Sequence, residues 1–570
     1  MEGSKTCSEK QQDKEFQVTD QTTSLSRRNI VTVFLTCSII DFAAIIDQNT
    51  LSVSLPIIGA SLGASNQVSS IAAAYFITST SFQLLYGRLS DIWSRKHIIV
   101  AGLALFFVGS LGSSFATSIT HLIIFRALTG IGGGGLVTLV QIVVGDVVSL
   151  RERGKWQGII GSVVALSHGI SPIIGSKIAS YSPDSWRWIF RLSLFTSIVT
   201  TLMVVFFLPL KKVDGNWKKK VKTVDFLGMV LTLAASSLII LGLTWGGVMY
   251  PWLSVHVIVT LILGAFSAIV FLIWEWKGAL LPLLPRKQNA VFFLFQGTAL
   301  KYSIVSIFNS RMVQATTTTT FISGWNYLVQ TYFIPSFYQL AYGYAPTRAA
   351  SMLLPIILLQ TASSTLGGLI VSWRGRYRES LIFGYTLWSV GLGLHCLLTP
   401  SSSLAMQLGY GFLLGFGTGQ CFQPSLIAMQ AAVGKEHMAI ITGVRSYLRD
   451  LGGTLGLAIT GSILNRMLLN AFSYAATNKL ASLSSEQIQQ ILRNPTLLLT
   501  VTDTQILEKA DMIKSLTLAA YFKGFRLVFI LSTSLGILSI LVTILFIPQV
   551  ELKVEKIQNE KEVESSQVPV

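Results

Sequence analysis

Apolar stretches of about 20 residues recur from one end of this chain to the other, and each is long enough to cross roughly 30 Å of hydrocarbon as a helix. Hydropathy places them at 30–54, 68–88, 97–117, 120–148, 156–178, 188–209, 224–247, 252–275, 318–341, 348–372, 380–399, 404–433, 439–464 and 525–547. Inside lipid a backbone N–H or C=O has no water to bond, so such a segment must satisfy its polar groups within itself, as a helix does. The expectation is an all-α polytopic membrane protein with fourteen transmembrane helices. Composition agrees: 12% of the 570 residues are charged, against about a quarter in a soluble domain.

The charge of the chain sits between these segments. The net charge of +17 would suit a nucleic-acid partner, but Lys and Arg cluster in short loops: GRLSDIWSRK, LRERGK, KKVDGNWKKKVK and WRGRYR. That is the positive-inside pattern of cytosolic loops, so no nucleic-acid partner is expected. With both termini inside, those four loops all fall on the cytosolic face. The loops near 57–67, 117–120, 247–252 and 400–404 fall outside and carry no Lys or Arg. The loop 465–524 falls outside despite its basic residues, which long loops tolerate. Residues 1–29 read as a cytosolic N-terminal tail rather than a cleaved signal, and residues 548–570 as a cytosolic C-terminal tail. The four cysteines (Cys7, Cys37, Cys396, Cys421) show no paired spacing, so neither a disulfide framework nor a metal site is expected. There is no G-x-x-x-x-G-K-[ST] phosphate loop and no nucleophile motif. The chain reads as no enzyme, and as needing no cofactor.

Two carboxylates interrupt the first apolar segment, Asp41 and Asp47. An acid at mid-bilayer is costly, normally faces the bundle interior, and marks an ion or proton path. Deprived of water, a carboxyl group leans toward its neutral form and can load and release a proton. Six helical residues turn about 600°, so the two acids point roughly 120° apart and about 9 Å apart along the axis. They cannot share one proton. Asp47 either couples protons or makes a structural hydrogen bond; Asp41 either lines a cavity or is capped by a neighbour such as Thr36 or Ser38. Arg126 is the other costly residue, with a fork suited to a carboxylate or to backbone carbonyls. His168 titrates usefully or packs as a helix–helix donor. Gln141, Trp325, Tyr332, Gln339, Gln360 and Gln423 are candidate cavity walls. GIGGGG (130–135) and GTLGLAITG (453–461) are small-residue runs of the kind that lets membrane helices approach closely.

GRLSDIWSRK follows the second segment and GLIVSWRGRYR the tenth. Aligned on Gly87 and Gly368, Arg95 falls on Arg376. Weak similarity at matching places in two halves marks parallel repeats in transporters, here segments 1–6 and 9–14 with 7 and 8 inserted.

These residues carry a family resemblance. GRLSDIWSRK resembles the G-x-L-a-D-r-x-G-r-k loop of the major facilitator superfamily through Gly87, Leu89, Asp91, Arg95 and Lys96, with Ile92 and Ser94 departing. RALTGIGGGG resembles its fourth-helix R-x-x-x-G motif through Arg126 and Gly130. DQNTLSVSLP resembles the first-helix signature of the fungal fourteen-helix drug:proton antiporter branch through Asp47, Gln48, Ser52, Leu55 and Pro56, with Asn49 in place of threonine. HGISPIIGS keeps only Pro172 and Gly175 of the antiporter motif in the fifth helix. GDVVSLRERGKWQGIIG and RDLGGTLG also resemble this branch.

The resemblance implies the major facilitator fold: two six-helix bundles, 30–209 and 318–547, joined by a linker 210–317 that holds two extra transmembrane helices. It implies an alternating-access secondary transporter, driven by the proton gradient, that exports toxic or amphipathic organic compounds such as drugs or secondary metabolites. A vacuolar basic amino-acid transporter is the alternative. By resemblance, Asp47, inside the first-helix signature, and Arg126 take part in proton transfer; Asp41, which lies outside that signature, and Gln141 and His168 are candidates for coupling or the substrate cavity on their residue chemistry alone. The loop residues Gly87, Arg88, Asp91, Arg95 and Lys96 gate the cytosolic side, and Arg445, Arg449 and Asp450 brace the thirteenth helix. The expected partners are protons, a small organic substrate and the lipid bilayer, with a monomer in the plasma membrane, or alternatively the vacuolar membrane. Residues 286–306 interrupt what looks like a continuous linker; they are apolar for only about ten residues, too short to span, and read as an anomalous insertion or an interfacial segment.

Overall fold

Long apolar runs that lack interior strand or turn signals leave the backbone one economical solution, and the computed structural model shows it. Fourteen helices are formed among the described residues: α1 Arg27–Ser61, α2 Val68–Ile92, α3 Arg95–Ser114, α4 Ile119–Val147, α5 Leu150–Ala179, α6 Arg187–Phe207, α7 Phe226–Trp245, α8 Val255–Lys277, α9 Arg311–Leu340, α10 Pro346–Arg374, α11 Arg378–His395, α12 Leu404–Ala431, α13 Met438–Thr477 and α14 Leu507–Phe546. The structure describes residues 27–62, 68–148, 150–179, 181–182, 184–208, 225–246, 250–277, 310–344, 346–433, 438–477 and 507–551. The segment 286–306 lies outside them. Eight helices are long and apolar enough, on length and composition alone, to cross a membrane. The others carry polar side chains, such as the threonine run of α9 and the Arg445, Arg449 and Asp450 of α13. A helix that faces a bundle interior need not be apolar all round.

Local chemistry sets several helix starts. Ser118 accepts from the His121 N–H, Ser403 from Met406 and Asp225 from Gly228, each satisfying an N-terminal donor that the helix itself leaves open. Helices also run past the segments that hydropathy marks. α13 continues to Thr477 and α14 begins at Leu507, inside the stretch 465–524 read from sequence as loop. Hydropathy reports where lipid begins, whereas helical hydrogen bonding carries on into water.

The packing repeats. In the first six helices α2 packs on α4, α3 on α4 and α6, and α1 on α5 and α6. In the last six the same positions pair: α10 on α12, α11 on α12 and α14, and α9 on α13 and α14. Each half has its own core, one around Phe34, Leu103, Phe106 and Val143, the other around Phe337, Tyr385, Trp388 and Phe529. The halves meet chiefly along two pairs, α5 with α10 and α2 with α13, with smaller contacts of α5 with α12 and α4 with α13. The inserted helices α7 and α8 pack together, and α7 lies against both α2 and α13. Trp274 of α8 donates its indole N–H to Asp225 at 2.9 Å, fixing the base of that pair.

Glycine makes the first half tight. A Cβ at Gly132 would meet the Gly102 carbonyl and Phe106 of α3, while one at Gly130 or Gly134 would meet the backbone of α2 at Tyr75 or Ser79. The run 130–135 thus lets α4 touch two helices at once, through contacts that small residues permit.

Candidate functional site

Asp47 and Arg126 find each other. α1 carries Asp47 into the first half, where Arg126 of α4 donates Nη1–H to its Oδ2 at 2.7 Å and Ser193 of α6 donates to its Oδ1 at 2.7 Å. Both charged side chains are at most 1% exposed. The guanidinium lies 4.6 Å from the ring centroid of Tyr75 and 5.9 Å from that of Phe190, positions that favour a cation over an aromatic face. Gln48, next to Asp47, donates to the Tyr75 hydroxyl at 2.9 Å, and Gly133 leaves the room that this hydroxyl occupies. The pair is therefore charge-compensated, hydrogen-bonded on both carboxylate oxygens, and built from four helices. Removing either charge would leave the other buried alone, the costly case for buried ions.

Asp41 sits differently. It is 1% exposed, and its Oδ1 accepts no hydrogen bond. Thr36, one candidate cap, instead donates to the Thr32 carbonyl of its own helix, as threonine in a membrane helix often does. Across the seam between the halves, Arg449 of α13 is close enough for its charge to act on both Asp41 and Tyr327. Arg449 Nε donates to Asp450 Oδ1 at 3.2 Å, and Gln83 of α2 donates to Asp450 Oδ2 at 2.8 Å. One acid of the first half, one arginine and one acid of the second, and one glutamine bridging them thus share the middle of the seam. Arg449 and Asp450 keep 27% and 29% of their side-chain surface, unlike the sealed pair at Asp47. Arg445, one turn earlier, turns to the Phe422 carbonyl and Ser425 Oγ.

The halves close on each other toward the end that carries the basic segments after α2 and α4. Thr365 of α10 donates to the Gly158 carbonyl of α5 at 2.9 Å and lies 3.0 Å from Ser162 Oγ. Gln423 of α12 donates to the Gln157 carbonyl at 3.3 Å, and Arg153 of α5 donates to Gln430 of α12 at 2.9 Å. Gly154 and Gly368 allow the α5 and α10 backbones to touch. The segment read from sequence as the loop after the second helix joins this closure, although its residues lie on helices: Gly87, Arg88 and Asp91 on α2, Arg95 and Lys96 on α3, with only Trp93 and Ser94 between. A Cβ on Gly87 would stand 3.1 Å from the Ala439 carbonyl at the start of α13. Arg95 donates to Asp146 of α4 at 2.9 Å and to Ser90 at 2.6 Å, and Lys96 donates to the Val205 carbonyl at 2.8 Å near the end of α6. The aligned residue of the second half, Arg376, pairs with Glu379 and with Glu551 at 3.1 Å.

The remaining sequence candidates scatter around this frame. His168 Nδ1 accepts from Asn49 at 2.8 Å, which joins α5 to α1 through the residue that departs from the first-helix signature. Gln141 Oε1 on α4 has no hydrogen-bond partner. Gly175 lets α5 meet α1 at Thr50, and Ser54 donates to its carbonyl at 3.3 Å. Arg88, Asp91 and Pro172 lie on α2 and α5, with side chains outside the described set. Sequence reasoning did not single out Ser193, Tyr75 or Arg153. Serine and tyrosine in an apolar helix carry no signal of their own. Arg153 was hidden in LRERGK, where a basic residue reads first as a topology anchor.

With this geometry in view, the comparisons decide the family. The Major Facilitator Superfamily profile matches residues 37–250. Citrate exporter 1 of Yarrowia lipolytica is 32% identical over 85% of this chain and 68% of its own length. The chain belongs to the major facilitator superfamily. Its curated relatives also include the efflux pump FUS6 of Gibberella fujikuroi, 30% identical over 79% of this chain and 78% of that one. The MFS-type efflux pump LUC4 of a Fusarium species is 29% identical over 90% and 86%. The facilitator thus stands in the fungal efflux branch of its superfamily. Among solved structures, the proton:xylose symporter XylE matches with a TM-score of 0.56 at 12% identity, over 93% of this chain and 98% of that one. The human organic anion transporter MFSD10 matches with 0.53 at 13%, over 91% and 100%. At those identities the likeness establishes the fold: this facilitator has two six-helix bundles with two further helices between them, and it is a membrane transporter by family.

Proposed function

We propose that this facilitator exports amphipathic organic compounds in exchange for protons, acting as a monomer in the plasma membrane. The observation that carries the reading is the polar seam, where Gln83 of one half holds Asp450 of the other at 2.8 Å and Asp450 pairs with Arg449, whose charge acts on the buried Asp41 of α1. Acids are expensive in a membrane and mark ion paths, and a seam between two rocking halves is where a path can be opened to one side at a time. Relatives named as efflux pumps support the outward direction. The working unit is one chain, because both halves of the seam come from it. The test is a panel of toxic compounds on cells lacking and overexpressing the protein, with and without a protonophore. Export that survives collapse of the proton gradient defeats the proton-coupled reading.

A second reading is favoured by one residue. Arg449 is a partly exposed guanidinium in a membrane seam, and its terminal nitrogens suit a carboxylate. A relative named as a citrate exporter fits the same chemistry. Under this reading the cargo is an organic acid, and citrate competes with it.

A further inference from the structure

The two acids of α1 occupy opposite electrostatic situations, and this bears on which of them the proton visits. Asp47 has a guanidinium on one oxygen and a serine hydroxyl on the other, each at 2.7 Å. A proton added there would have to displace Arg126, whose charge would then stand unpaired at 1% exposure between two aromatic rings; breaking a buried pair in this way is strongly unfavourable. Asp41 has no such partner on Oδ1. A buried anionic oxygen that accepts no hydrogen bond is expensive, and a neutral carboxylic acid in its place brings its own donor.

We propose that Asp41, and not the signature residue Asp47, carries the proton that this transporter exchanges, while Asp47 and Arg126 form a fixed brace. The proposal deepens the proton-coupled reading above and rests on it. Asp41 in its charged form draws Arg449 toward the first half, because the two stand on opposite sides of the seam. In its neutral form that attraction is gone, and Arg449 keeps only Asp450, which Gln83 ties to α2. The proton on Asp41 thus changes the electrostatic bond between the halves at mid-membrane. A proton taken from the extracytosolic side neutralises Asp41, and release of the same proton to the cytosol restores the charge. The titratable and charged groups whose charge bears on Asp41 are Cys37, one turn earlier on α1, and Arg449 on α13, which is itself paired with Asp450. The Asp47 cluster shares no hydrogen-bond partner with Asp41, so the two acids do not trade one proton.

Infrared titration of the purified full chain in phosphatidylcholine vesicles tests this without a known cargo. A neutral carboxylic acid absorbs in a carbonyl band distinct from carboxylate, and water-exposed acids, which titrate near about pH 4, contribute none of it at neutral pH. The wild type is expected to show such a band near neutral pH and to lose it as pH rises. Asp41→Asn is expected to lack the band, and Asp47→Asn to retain it. Asp41→Glu, which keeps the acid if the asparagine variant fails to fold, is expected to shift the band in frequency. A wild type with no neutral-acid band, a band that survives in Asp41→Asn, or a band that ignores Asp41→Glu overturns the proposal. Failure of the parent reading registers elsewhere: export of the toxic compounds that is indifferent to a protonophore rejects proton coupling whatever the infrared result.

Discussion

Arg153 at the start of α5 reaches across the seam to Gln430 of α12 at 2.9 Å. The same guanidinium holds the Gly145 and Val148 carbonyls at the end of α4, and Gln430 passes the contact on to Thr442 of α13 at 3.1 Å. Four helices from both halves therefore meet at one buried arginine. Individual hydrogen bonds of this kind contribute about 1 kcal/mol net each. A closure assembled from a handful of them is stable yet reversible, which alternating access requires, since two states a few kcal/mol apart can both be visited.

Replacing Gln430 by alanine should weaken that closure, removing both the bond from Arg153 and the bond to Thr442. The expected cost to this closed state is about 1–2 kcal/mol, roughly a tenfold shift in the population ratio. A cysteine pair at Ser162 and Thr365, whose hydroxyls lie 3.0 Å apart, reports it. Cross-linking should slow clearly in the Gln430→Ala background. An unaltered rate would mean that the arginine latch does not hold the halves together.

The Asp47–Arg126 pair should behave as a brace. Asp47→Asn or Arg126→Gln alone strands a buried charge and should cost about 3–5 kcal/mol, read as a large drop in thermal stability in detergent. The double variant removes both charges and should recover much of that loss. Equal damage in the single and double variants would show that the pairing is incidental to the fold.

Small residues at the helix crossings should be intolerant by position rather than by kind. Gly132→Ala and Gly134→Ala push a methyl group into backbone of α3 and α2 and should each cost about 1–3 kcal/mol through overpacking. Gly169→Ala, on α5 where a Cβ meets nothing within 4 Å, should be neutral. Folding yield from fluorescence-detected size exclusion separates the two classes, and comparable yields for all three would contradict the packing described.

Much of this architecture is legible in the sequence because lipid imposes one rule on every span. A run of apolar residues near 20 long must be helical, so each of the fourteen helices overlaps a segment marked by hydropathy, eight of them apolar enough to span on composition alone, although their ends do not follow: α13 outlasts its apolar part by a dozen residues because water ends the hydropathy signal and not the helix. Asp41, Asp47 and Arg126 stand out for the same reason, as charges where charges are costly. Their partners do not. Asp47 and Arg126 are 79 residues apart and Asp47 and Ser193 are 146 apart, and which way each helix turns its side chains is decided by packing across the bundle. Arg153 shows the opposite limit. The charge rule that reads LRERGK as a basic loop gives a sufficient reason for an arginine there, and so conceals both its place on α5 and its contact with the other half.

Arg449 offers the sharpest division between the two cargo readings. Its Nε is committed to Asp450 at 3.2 Å, its side chain is 27% exposed, and a guanidinium has a second edge of N–H donors. If the cargo is an organic acid, that edge takes the carboxylate in a charge-assisted bond worth about 1.5–3 kcal/mol. Arg449→Gln should then weaken binding of radiolabelled citrate to the purified protein by roughly tenfold to a hundredfold. Gln keeps a donor but no charge, and the neighbouring Gln83–Asp450 bridge does not depend on residue 449, so the fold should persist and thermal stability provides the control. Citrate that binds the variant and the wild type equally, or neither, removes the acid reading. The arginine is then left to its electrostatic dialogue with Asp41, and an amphipathic cargo held by the aromatic and amide side chains of the seam becomes the stronger account.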